Sequence, residues 1–120
     1  MKTLKERQLE FLEDTVNHFN SRNRGLNEHG GYSYSAGCAI GRYLDKALCK
    51  KLDSIGHNPV TGSNVFNQLP ENMRELGKDF LGKIQFLHDI EEYWGENGLT
   101  IKGIKRVEVI KNKINNGEME

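Results

Sequence analysis

Residues 32–42 read Tyr-Ser-Tyr-Ser-Ala-Gly-Cys-Ala-Ile-Gly-Arg and bring hydroxyls, two aromatic rings, a thiol and a guanidinium into one short stretch. Ser35 is suited to cap a helix expected from 36 to 54. Free N–H groups and the positive end of the dipole make such a helix start receptive to anions. Tyr32 or Tyr34 can stack on a base, and Arg42 can fork onto a phosphate. Tyr34, Ser35, Gly37 and Cys38 add hydroxyl, thiol or backbone contacts. The stretch is neither a phosphate-binding P-loop, since GxxxxGK[ST] is absent, nor a dinucleotide fingerprint, since no strand precedes it. The competing reading is a tight junction in which Gly37 and Gly41, four apart, let another helix approach.

A second group lies at 84–94, Ile-Gln-Phe-Leu-His-Asp-Ile-Glu-Glu-Tyr-Trp. The adjacent His88 and Asp89 suit the orientation of a polar ligand group, and Trp94 supplies an aromatic wall. His88 and Glu92, four apart, share a face if the helix continues, but two ligands do not make a metal site. No metal and no cofactor is expected. Cys38 in a first helical turn has a dipole that lowers a thiol pKa, and His88 is its best general base, which defines a small cysteine hydrolase as a third reading. Such hydrolases usually carry the histidine on a sheet, and no sheet is expected here. The structural alternative leaves Cys38 a buried thiol and lets His88 and Asp89 brace neighbouring backbone with Trp94 in the core.

Positioning these residues falls to helices. Leu4, Leu9, Leu12, Val16 and Phe19 recur at helical spacing over 4–20. Residues 20–35 are then dense in Asn, Gly and Ser, a loop of about fifteen residues and long for a small domain. The helix at 36–54 would bury Ile40, Leu44, Ala47, Leu48 and Leu52. On that helix Cys38 and Cys49 lie roughly 16 Å apart, beyond disulfide reach. Residues 56–69 form a second irregular connection with one helical turn near 63–67. Pro70 then opens a helix carrying Met73, Leu76, Phe80, Ile84, Leu87 and Trp94, with Gly77 or Gly82 able to break it. Gly95 and Gly98 end it, and Thr100 caps a last helix with Ile101, Ile104, Val107, Val109, Ile110 and Ile114. No pair of segments reads as a β-hairpin. The fold expected is all-α, one compact domain over 1–116 with about four helices and a frayed tail at 117–120.

Composition narrows the function. The 120 residues hold 17 Lys+Arg against 17 Asp+Glu, so no broad basic surface for general nucleic-acid binding is expected. An apolar fraction of 36% suits a small soluble domain, and no stretch approaches a membrane span. The charged N-terminal segment does not resemble a secretory signal, and two thiols without one fit a cytoplasmic protein. Locally the charge is uneven. Residues 88–96 carry Asp89, Glu91, Glu92 and Glu96 without a cation, while 101–113 carry Lys102, Lys105, Arg106, Lys111 and Lys113 against Glu108. These are either solvated faces that partly neutralise each other or the contact surface for an anion or acidic partner.

The segments Cys-Ala-Ile-Gly-Arg-Tyr-Leu at 38–44 and Ile-Gln-Phe-Leu-His-Asp at 84–89, followed by Trp94, resemble a group of small, mostly uncharacterised phage and prophage proteins. That group pairs a Cys-Ala-(Ile/Val)-Gly segment, placed after a Tyr-containing loop, with a Leu-Gln-x-x-His-Asp segment. This chain departs in having Ile84 where the group often has Leu, and in a shorter, Cys-poor loop before Cys38. The resemblance spans about 32–110 and implies an accessory protein acting in the cytoplasm of a bacterial host, with no set activity. Small phage proteins of this size often counteract host defence. The leading expectation is a binding protein, not an enzyme, that sequesters a small anionic, nucleotide-derived ligand. Tyr34, Ser35, Gly37, Cys38, Arg42, His88, Asp89 and Trp94 would line its pocket, with homo-oligomerisation adding depth. The alternative is a protein–protein inhibitor or regulator of a host protein.

Overall fold

Thr3 opens the first helix. Its hydroxyl accepts from the Glu6 N–H at 3.1 Å, so α1 runs Leu4–His18. The computed structural model describes residues 2–20, 40, 43–54 and 63–118. On α1 the buried face is more polar than the leucine spacing implies, because Gln8 and Thr15 are buried beside Leu12. Both are satisfied: Gln8 Nε2 donates to the Leu76 carbonyl at 2.7 Å, and Thr15 Oγ1 donates to the Phe11 carbonyl at 2.8 Å. Phe19 leaves the helix in extended conformation and turns its ring into the core.

The helix expected over 36–54 is shorter in its described part. Tyr43 N–H bonds the Ile40 carbonyl, and α2 spans only Lys46–Ser54. The reason is Asp45, whose Oδ1 accepts from the Leu48 N–H at 2.8 Å and so starts a new helix there. The buried side chains of α2 are accordingly Cys49 and Leu52, whereas Ala47 is exposed. The 16 Å separation of Cys38 and Cys49 assumed one continuous helix and does not carry over; Cys38 lies outside the described residues.

One helical turn, α3, occupies Ser63–Phe66, as the spacing predicts. Pro70 caps α4, Glu71–Arg74, and its carbonyl accepts from both Met73 and Arg74 N–H groups. The helix expected over 70–94 is then interrupted twice. Gly77 has φ 102°, a conformation that side-chain-bearing residues avoid, and separates α4 from α5, Lys78–Asp89. Gly82 stays inside α5. Ile90 is extended, Glu91–Tyr93 form one 3₁₀ turn, and Trp94–Gly95 (β1) pair antiparallel with Gly98–Leu99 (β2). This two-stranded hairpin corrects the expectation of none. Its turn needs Gly98 at φ 116°, so the glycine that reads as a helix terminator is a hairpin residue.

Thr100 caps α6, Ile101–Asn115, as expected, accepting from Gly103 N–H and donating to the Glu92 carbonyl. At its far end Gly117 (φ 73°) and the bonds from Gly117 to Ile114 and from Glu118 to Lys113 close a Schellman cap. The fold is all-α apart from the hairpin. One continuous buried cluster joins Leu12 and Phe19 of the N-terminal part to Leu52, Val65, Phe80, Ile84, Trp94 and Ile110.

Candidate functional site

His88 occupies the last turn of α5 and has no solvent contact. Its Nδ1 lies 2.7 Å from Asp89 Oδ1. A carboxylate only accepts, so this contact puts the proton of a neutral imidazole on Nδ1 and the lone pair on Nε2, which is also buried. Asp89 is partly exposed and links the buried ring to the surface. Phe19 meets the imidazole edge-on at 4.8 Å between centroids and the Trp94 indole at 6.1 Å. Trp94 is buried, and its Nε1–H donates to the Leu87 carbonyl at 2.9 Å, satisfying an acceptor that the end of α5 leaves open. His88, Asp89 and Trp94 therefore do come together, with Phe19 as the ring between them that sequence spacing did not assign.

Phe19 also lines a cleft of about 350 Å³, together with Asn17, His18, Asn20, Glu96 and Asn97. Its Phe19 ring also meets the imidazole. Tyr34, Ser35, Gly37, Cys38 and Arg42 lie outside the described residues.

One chemical expectation is corrected. The helix ends at Asp89, so His88 and Glu92 do not share a helical face. Glu92 instead binds Lys102 at 2.7 Å on the surface, and this hydrogen-bonded cation holds its carboxyl below the usual glutamate range. Among the described residues no three His, Cys, Asp or Glu side chains gather as a metal-binding group, and no helix is long and apolar enough to cross a membrane. Cys49 is buried, and burial, with Asp53 and Asp45 nearby, pushes its thiol up, which disfavours the thiolate.

A larger cleft of about 640 Å³ is lined from both α5 and α6. Asp79, Gly82, Lys83 and Phe86 reach it from α5, Arg106 and Lys113 from α6, and Glu118 from the closing cap. The signal for these residues was available: spacings of three, four and seven on α5, and of seven on α6, each select one helical face. The basic character of 101–113 was visible, but which cations converge depends on how α6 docks. Docking in turn depends on Gly103, where a Cβ would lie 2.7 Å from Leu99 Cδ2 and inside contact distance of the Tyr93 carbonyl oxygen.

Fold and sites together define a small helical protein with polar surface clefts and a buried histidine paired to a partly exposed aspartate. No family model, curated protein or solved structure matches the chain.

Proposed function

We propose that this is a binding protein that holds a small anionic, nucleotide-derived ligand without transforming it, a phage-like accessory factor counteracting host defence in the bacterial cytoplasm. The observation that carries this reading is the charge of the α5–α6 side. Lys83, Arg106 and Lys113 line one cleft, and among the described residues none of them has a carboxylate within ion-pair distance. Against Asp79 and Glu118 in the same cleft these leave one cation in excess, and cations without ion-pair partners mark a place where an anion is stabilised. Burial of His88 supports holding over turnover, because a general base must reach the proton it removes.

A second reading, a regulator that docks on a host protein or on its own copy, is favoured by α6. Its outer side leaves Ile101 75% and Ile104 50% exposed among lysines.

A thermal-melt panel of linear and cyclic nucleotides at constant ionic strength tests the two readings together. A ligand at 100 times its dissociation constant adds about 2.7 kcal/mol, which at this chain length raises the midpoint by roughly 10 °C. The expected result is such a shift with the nucleotide recovered intact by chromatography after denaturation. Recovery of a product transfers the assignment to an enzyme. A flat panel makes docking on a protein the leading function.

A further inference from the structure

We infer that the α5–α6 cleft is the ligand site, that Arg106 anchors the phosphoryl group, and that the ligand is a nucleoside phosphate. The inference rests on the proposed reading that the ligand is a small anion, and adds where it binds and which groups recognise it.

Arg106 carries the argument. Its Nε is buried with no hydrogen-bond acceptor among the described residues, although the side chain is only partly covered. A buried donor without an acceptor is costly to keep, and a guanidinium costs more than a neutral group. The side chain is nevertheless held in place. Its guanidinium carbon stands 5.2 Å from the centre of the Phe86 ring, and Phe86 meets Tyr93 edge-on at 6.4 Å. This cation–π contact holds the guanidinium at the cleft wall, where its terminal N–H groups suit an acceptor such as a phosphoryl group.

The rest of the cleft extends this preference. Lys83 lies one turn before Phe86 on the same face of α5 and adds a second cation. The chain reverses through the hairpin, so α6 returns along α5 and places Lys113 roughly 10 Å beyond Arg106. Asp79 and Glu118 also line the cleft, at the start of α5 and after α6. Two carboxylates beside one lysine suit hydrogen-bond donors, such as ribose hydroxyls or an exocyclic amine, and repel a second phosphate. A volume of about 640 Å³ matches a nucleotide-sized molecule. Residues 79, 82, 83 and 86 face away from His88, two residues beyond Phe86, by close to half a helical turn. The cleft is therefore distinct from the cluster around His88.

The test is a titration of the whole chain with AMP, adenosine, inorganic phosphate and a short single-stranded oligonucleotide at fixed ionic strength. It is followed by calorimetry and by the arginine Nε–H signals in nitrogen–proton correlation spectra. The expected result is saturable AMP binding that moves the Arg106 Nε–H signal, weaker phosphate binding and none for adenosine. Arg106→Gln should raise the AMP dissociation constant at least about tenfold, with Arg106→Lys intermediate because it keeps charge and loses the fork. Lys105→Gln, on the exposed side of α6, should leave it within about twofold. If melts show Arg106→Gln misfolded, the surface pair Lys83→Gln and Lys113→Gln takes its place with the same expectation. Undiminished AMP binding in these variants overturns the cleft assignment and leaves the small-anion reading standing. No binding of any probe by the unaltered chain removes both. Preference for the oligonucleotide over AMP overturns the nucleotide assignment in favour of a nucleic-acid strand.

Discussion

A histidine shut off from solvent with a carboxylate 2.7 Å from its Nδ1 has its tautomer and ring plane set by its neighbours. The residue types at 88 and 89 suggested groups that orient a ligand or brace backbone; the structure shows them bound to each other. Burial beneath Phe19 was not legible, because Phe19 reaches the imidazole across 69 positions of chain. Glu92 shows the same limit at the surface, where its partner proves to be Lys102 and not a metal shared with His88. The pair sets a pH dependence with a definite sign. Lys102 lowers the Glu92 pKa, so this contribution to stability is complete above the ordinary glutamate range and is lost as pH falls through the lowered value. The hydrogen bond to Glu92 in turn raises the Lys102 pKa, so the contribution persists at neutral pH and is lost as pH rises through the raised value. Urea midpoints of Glu92→Gln and the unaltered chain should differ at pH 7 and converge as pH falls through the lowered Glu92 value. Both side chains are well exposed, so the difference should be small and shrink in high salt. A difference that persists at pH 2 would assign Glu92 a role other than this ion pair.

At the scale of elements, caps were the readable features and docking was not. Thr100, Pro70 and the turn at Ser63–Phe66 act as their sequence chemistry predicts, because each effect spans only four or five residues. Asp45 was equally local, but a stripe of apolar residues on both sides of it favoured one long helix over 36–54. Gly103 is the reverse case. A glycine in the first turn of a helix reads as a mild weakness, yet here it lets α6 lie against the Tyr93 carbonyl and Leu99. Gly103→Ala gains about 1 kcal/mol of helix propensity but drives a Cβ into backbone that cannot give way. We expect a net loss of about 2 kcal/mol, seen as a lower urea midpoint at unchanged slope. The same variant should weaken AMP binding, since α6 carries Arg106 and Lys113. A stabilised variant would mean that the contact relaxes at no cost.

The whole molecule is closed by contacts between distant segments. Gln8 of α1 donates to the Leu76 carbonyl, just before the break at Gly77, and Arg7 beside it donates to the Asn72 carbonyl. This buried amide ties the N-terminal helix to the point where α4 gives way to α5. Gln8→Ala leaves the Leu76 carbonyl buried without that donor and should cost about 1–3 kcal/mol in chemical denaturation. Loss of less than about 0.5 kcal/mol would show that another donor or water replaces it. Gln8 was passed over in favour of Leu4 and Leu9, yet it is almost fully buried while Leu4 is 37% exposed.

By itself the sequence determined the helical class, the apolar series Met73, Leu76, Phe80, Ile84, Leu87 and Trp94 that forms much of the core, and the helix starts at Pro70 and Thr100. These follow from periodicity and from hydrogen bonds between near neighbours, which any stretch of chain carries with it. The tertiary structure alone decided that 70–94 is broken at Gly77 and Ile90, that Glu92 pairs with Lys102, and that Lys83, Phe86, Arg106 and Lys113 share one cleft. Convergence of side chains from different helices depends on docking angles and close approaches such as that at Gly103. Those arise from packing across the whole core, and no window of sequence contains them.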